Sequence, residues 1–212
     1  MMHWCRVRAL SVAWAAAITL GSLDACAVAG SAGIASYDVT IGVFFDAQGT
    51  VCAGTIRPSF PGTIYILAKA APGSEIPSGA EFRFVGLPSA WTVYPVPNPQ
   101  TLSIGDPFAN GVNIASVGSP CSTAGTSQVL LLYTVLVLAS DLQENVRFEL
   151  VARNPPANPA FNCPLVTECG PFFAIRCVQS VPCFVNASAP PPCAAPTGVA
   201  VTTWTGLRAL YR

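Results

Sequence analysis

Cys163, Cys169, Cys177 and Cys183 stand six, eight and six residues apart, and Cys52, Cys121 and Cys193 lie outside that cluster. Cysteines this frequent pair as disulfides where the compartment is oxidising, and a dense cluster staples one region of chain. Zinc would want tighter C-x-x-C pairs or histidines at ligand spacing. Neither occurs, and the one histidine is His3, so no metal site and no cofactor is expected. Seven is an odd number, so one of these thiols stays free or pairs between molecules, and the connectivity of the rest is open.

His3 falls in the N-terminal leader described below, so the exported chain is expected to have no imidazole; Ser-His-Asp and Cys-His nucleophile arrangements are then out of reach, and no catalytic residue is assigned. Two carboxylates suffice for glycoside hydrolysis. Asp46, Glu81, Asp106 and Glu168 are the candidates for such a pair, although acids at alternate strand positions or beside turns usually belong to a solvated surface. For binding, Trp91 and Tyr94 stand out within the proline-stiffened stretch LPSAWTVYPVPNP, residues 87–99. Flat rings on a stiff segment can stack on sugar faces at little entropic cost. The competing role for Trp91 is a plug at one end of a core.

The compartment is read from the N-terminus. Residues 9–23 are apolar and uncharged, with Arg6 and Arg8 before them and Ala27-Val28-Ala29 after them. This is the pattern of a secretory signal peptide, residues 1–29, cleaved after Ala29. Asp24 ends the run short of the roughly 18 apolar residues that a membrane anchor needs. Leu23-Asp24-Ala25-Cys26 also resembles a lipobox, which makes lipidation at Cys26 the alternative. Cleavage removes His3 and leaves no transmembrane helix, and the seven cysteines above are then exported to a place where they oxidise.

Charged residues are 9% of the chain, against about 25% in an average globular protein. With no basic patch to neutralise phosphates, a nucleic-acid partner is excluded. A chain of this length sustains a hydrophobic core as one domain.

The elements that must position these residues follow a period of two. Tyr37, Val39, Ile41, Val43 and Phe45 alternate with Asp38, Thr40, Gly42, Phe44 and Asp46; Phe82 and Phe84 alternate with Glu81 and Arg83; Val146, Phe148 and Leu150 alternate with Arg147 and Glu149. Each pattern is a half-buried strand. Residues 64–69, 112–117 and 172–178 add further strands of β-branched and aromatic residues, with Pro and Gly clusters between them. The uncharged run VLLLYTVLVLA, residues 129–139, predicts a strand covered on both faces, so something must lie over the sheet there. The fold class is all-β: an antiparallel β-sandwich of jelly-roll or immunoglobulin/cohesin-like type over residues 30–188.

The succession SGAEFRFVGLP (78–88), VNIASV (112–117), VLLLYTVLVLA (129–139) and VRFELVARN (146–154) resembles that of cohesin-like and carbohydrate-binding-like modules. The ending TTWTGLRALYR (202–212) is similar to the W-G-x-x-K-x-L-Y-R ending of exported bacterial proteins of unassigned activity, with Thr205 in place of Gly and Arg208 in place of Lys. A proline-rich linker, residues 189–196, precedes this tail, residues 197–212. Trp204, Leu207 and Tyr211 recur there at helical spacing, which predicts one short helix docked on the sandwich or, in the other reading, a recognition tag. The expectation is a secreted, non-catalytic surface, adhesion or binding module, extracellular or periplasmic, whose partner is an extracellular molecule such as a polysaccharide.

Overall fold

The computed structural model describes residues 39–71, 74, 76–117, 128–169 and 174–193. The signal segment with Cys26, Cys121, and the tail with Trp204, Leu207, Arg208 and Tyr211 lie outside the described residues.

Within them the chain forms β1 (Val39–Phe44), β2 (Ala53–Gly54), β3 (Pro61–Ala70), β4 (Pro77–Val85), β5 (Thr92–Pro97), β6 (Thr101–Asp106) and β7 (Gly111–Ser116). There follow β8 (Val129–Leu138), β9 (Val146–Val151), β10 (Leu165–Glu168), β11 (Ile175–Cys177), β12 (Ser180–Val181) and β13 (Cys183–Val185). One sheet runs β12-β1-β3-β8-β5; the other runs β11-β10-β4-β9-β13-β2, with β7 paired to β4 and β6 to β7. No helix occurs among the described residues.

Alternation decides which side chains fill the space between the sheets. Val39, Ile41 and Val43 of β1, Ile64 and Ile66 of β3, Phe82 and Phe84 of β4 and Phe148 and Leu150 of β9 are all buried in one core. The rings interlock across and within the layers: Phe82 meets Tyr133 of the other sheet edge to face at 6.3 Å, and Phe84 lies 5.1 Å from Phe148 on the neighbouring strand of its own sheet. Each such ring contributes about 1.5–3 kcal/mol by leaving water. The intervening residues face outward, where Arg147 and Glu149 pair at 2.9 Å.

The sheets differ from the sequence expectation in one respect, being mixed rather than purely antiparallel. β12 runs parallel to β1, and β13 parallel to β2. The chain changes sheets between Val181 and Cys183, at Pro182, which has no N–H to offer either ladder. β8 also departs from expectation. Its inner residues Tyr133, Val135 and Val137 are buried, and Val129 and Leu131 are half-buried on the outer face, but Leu136 and Leu138 are 41% and 38% exposed. Among the described residues, only the first half of that run is covered on both faces.

β5 lies within the stretch taken as a stiff loop. Pro95 and Pro97 are accommodated because β5 is an edge strand bonded to β8 alone, which is where strand prolines are tolerated. Gly86, at φ +91°, closes β4 against β9, and a Cβ there would lie 1.9 Å from the Arg147 carbonyl oxygen.

The cysteines form the bridges Cys52–Cys193 and Cys163–Cys177, and Cys169 is disulfide-bonded as well. Among the described residues the unpaired thiol is Cys183, wholly buried in the core, and burial pushes its pKa up to about 12. The thiolate that would attack a reagent is therefore both hidden and disfavoured. In a form of the chain starting at Gly30, Cys183 is expected to stay unreacted with maleimide in the native state. In denaturant without reductant Cys183 should react, so that Cys183→Ser takes up one equivalent less than the parent.

Candidate binding groove

The outward residues of β6, β7, β4, β10 and β11 line up in two rows across the sheet. Ile104, Asn113, Glu81, Leu165 and Cys177 stand side by side in one register. Leu102, Ala115, Gly79, Thr167 and Ile175 form the next. Small residues in the middle of the second row and large ones at its ends make the surface concave. Gly79 is the low point, since a Cβ there would meet the Ile114 carbonyl oxygen at 2.8 Å. The segment between β9 and β10 folds over one end and brings Ala157, Asn158 and Phe161 to the wall. The resulting groove holds about 690 Å³.

Its lining is mainly apolar. Leu102, Ile104 and Ile175 are 58%, 62% and 57% exposed at its rims. Glu81 lies at the floor and is only 6% exposed, its Oε1 accepting the Ala157 N–H at 3.0 Å. One carboxylate thus holds the overhanging segment down and presents its charge in an otherwise oily trough. The Cys163–Cys177 bridge fixes the C-terminal end of that segment to β11.

The other carboxylates serve their own loops, and Glu81 is the only one of the four candidates that lines the groove. Glu168 is also buried, at 6% exposure, and Arg176 Nε–H donates to its Oε2 at 2.6 Å. Buried acids are uncommon without such partners, so the solvated-surface expectation fails for Glu81 and Glu168 for a definite reason. Asp106 accepts the Phe108 N–H in the β6–β7 turn. Asp46 accepts hydrogen bonds from the Thr50 hydroxyl and N–H and from the Val51 N–H. Burial works to raise the Asp46 pKa, but those hydrogen bonds outweigh it, and the carboxyl titrates below its ordinary value of 3.8.

Trp91 and Tyr94 are not brought together as a stacking pair. Trp91 is 4% exposed; its Nε1–H donates to Asp141 Oδ1 at 3.1 Å and its ring meets Phe148 edge to face. Tyr94 is 54% exposed on the outer face of β5, and it is the ring of the two that a ligand can reach. Tyr133 is a further buried polar group. Its hydroxyl bonds Ser103 across the two sheets, and burial raises its pKa. Among the described residues no cluster of His, Cys, Asp or Glu is arranged to hold a metal ion, and no helix is long and apolar enough to cross a membrane.

Solved structures similar to this one are cohesin modules. The third ScaB cohesin of R. flavefaciens, solved with a group 1 dockerin, matches at TM-score 0.46 and 11% identity, over 74% of this chain and 99% of that one. The sixth scaffoldin B cohesin of Acetivibrio cellulolyticus, solved with a Cel5 dockerin mutant, matches at 0.43 and 9%, over 71% and 99%. The non-cellulosomal cohesin of Archaeoglobus fulgidus matches at 0.43 and 10%, over 72% and 92%. At TM-scores below 0.5 the likeness transfers no function to this chain. No protein-family model and no curated protein matches it.

Two outcomes follow from the carboxylates. Glu81→Ala leaves the Ala157 N–H without its acceptor and is expected to cost about 1–2 kcal/mol in urea unfolding, whereas Glu81→Gln, which keeps a carbonyl oxygen, should cost less. Asp46 has a lowered pKa when folded, so its stabilisation is complete above pH 3.8 and is lost as pH falls through the folded-state value. Asp46→Asn is therefore expected to be less stable than the parent at neutral pH, with the gap closing in acid. A gap that widens in acid would contradict the assignment.

Proposed function

We infer that this chain is an exported, non-catalytic binding module whose groove takes an extended, apolar peptide segment of an extracellular partner. The observation that carries this is the trough itself: exposed Leu102, Ile104 and Ile175 around about 690 Å³, with the carboxylate of Glu81 at the floor. Large apolar side chains standing in water on a concave surface mark sites of association. The depth and the two-row register suit alternate side chains of a strand-like segment, which is how extended peptides are read on sheets. Glu81 adds a preference for a donor or a cation opposite the floor.

A second reading is a sugar-binding surface on the other sheet. Its support is Tyr94, exposed and flanked across the ladder by Leu136, as an apolar platform for a pyranose ring. It places the ligand on a different face, so the two readings separate cleanly.

The experiment is selection of a displayed random-peptide library on the exported chain, followed by affinity measurement on two variants. Leu102→Asp with Ile104→Asp is expected to weaken selected peptides by at least about tenfold, equivalent to about 1.4 kcal/mol, with little change in thermal midpoint because both side chains are exposed. Tyr94→Ala is expected to leave them unchanged. Peptides that bind the groove variant as well as the parent would sink the groove. Glycan-array binding lost on Tyr94→Ala would favour the sugar surface instead.

A further inference from the structure

We propose that the segment beyond Cys193 folds back onto its own domain and seats Trp204, Leu207 and Tyr211 on the outer face of the five-stranded sheet, over Tyr94, Val96, Leu136 and Leu138. This concerns the face opposite the groove and stands independently of it.

The seat is a continuous apolar strip. Tyr94 lies opposite Leu136 across the β5–β8 ladder and Val96 opposite Thr134, so that the outward side chains of the two strands adjoin. Tyr94 is 54%, Val96 50%, Leu136 41% and Leu138 38% exposed. Four such side chains side by side are more than the scattered apolar exposure of an ordinary surface.

The rest of the same face is already covered by the chain itself. Phe44, Cys52, Leu67 and Val181 form a second buried cluster there, with Tyr65, Val129 and Leu131 packed against it. The register joins the covered part to the bare part directly: Phe44 is opposite Tyr65, Tyr65 opposite Thr134, and Thr134 opposite Val96. The bare strip is therefore the uncovered continuation of a small core.

The occupant is named by where the chain leaves. Cys193 is bonded to Cys52, a member of that cluster, so the C-terminal segment departs from the edge of this face. Trp204 is 204 − 193 = 11 residues further on. Even as a stiff proline-type extended chain at about 3.1 Å per residue, that reaches about 34 Å. Crossing from β1 to β5 takes three strand spacings, about 15 Å in all at about 4.8 Å each. Reach is ample. Trp204, Leu207 and Tyr211 are spaced three and four apart, so that about two turns of helix would present all three on one side.

The test compares the exported chain with a form ending at Cys193, which keeps the Cys52 bridge, by methyl NMR of Val96, Leu136 and Leu138. In the longer chain these methyls are expected to show aromatic ring-current shifts that vanish on truncation, vanish in the full-length Trp204→Ala variant, and persist on dilution. Ile41 and Val135, in the core, report that the fold is kept; should truncation unfold the domain, the Trp204→Ala and Tyr211→Ala point variants read the same methyls. Patch methyls that do not change on truncation or on Trp204→Ala overturn the proposal. Shifts that fade on dilution overturn it too, by assigning the strip to a second copy of the chain.

Discussion

Phe82 of β4 and Tyr133 of β8 meet edge to face between the two sheets, and that contact fixes the parity of both strands. Side chains alternate with a period of two, so an inward Phe82 forces Gly79 and Glu81 outward, and an inward Tyr133 forces Thr134, Leu136 and Leu138 outward. A slip of one residue in β4 would put Glu81 or Arg83 between the sheets, at a cost of several kcal/mol for an unpaired charge. The groove and the apolar strip are consequences of this single register, one on the outside of each sheet.

Each outer face also has an overlying piece of chain tied down by a disulfide. Cys163–Cys177 anchors the segment that walls the groove, and Cys52–Cys193 ties down the β1–β2 loop, whose Cys52 packs with Phe44 and Leu67 on the outside of the other sheet. In the loop-entropy picture, the bridge separated by 14 residues restrains the unfolded chain by about 3 kcal/mol and the one separated by 141 by about 4–5 kcal/mol. With charges at 9% of the chain, the surface has few ion pairs with which to hold such segments. Covalent bridges and a few aimed carboxylates take that role, Glu81 at Ala157 and Asp46 at Thr50 and Val51.

The strands that could be read in advance were β1, β3, β4, β7, β8 and β9, whose apolar residues alternate or cluster strongly and whose register is set by the core. β5 was hidden by Pro95 and Pro97, which mark a loop unless the strand is known to be an edge. β6 carried a readable alternation, Leu102 and Ile104 against Ser103 and Gly105, but its neighbours Gly105 to Pro107 read as a turn. The two-residue and three-residue strands β2, β12 and β13, and with them both parallel pairings, are too short to leave any periodic signal. The acids failed for a different reason. A Glu alternating with Phe reads as solvated, and only the fold of residues 154–163 over β4 makes Glu81 the floor of a trough. The sequence offers Trp91 two roles, a sugar-stacking ring and a plug at one end of the core, and its bond to Asp141, fifty residues away, leaves no local signal. That one of the seven cysteines after residue 29 must lack an intramolecular partner follows from arithmetic; that Cys183 is the free thiol among the described residues follows from its place at the start of β13, facing the core.

Hydrogen–deuterium exchange of a chain starting at Gly30, alone and with a groove-selected peptide, tests the central assignment most directly. Protection is expected over β6, β7 and residues 154–163, with β5 and β8 unchanged. Protection confined to β5 and β8 would contradict it, and so would a bound peptide that protects neither face.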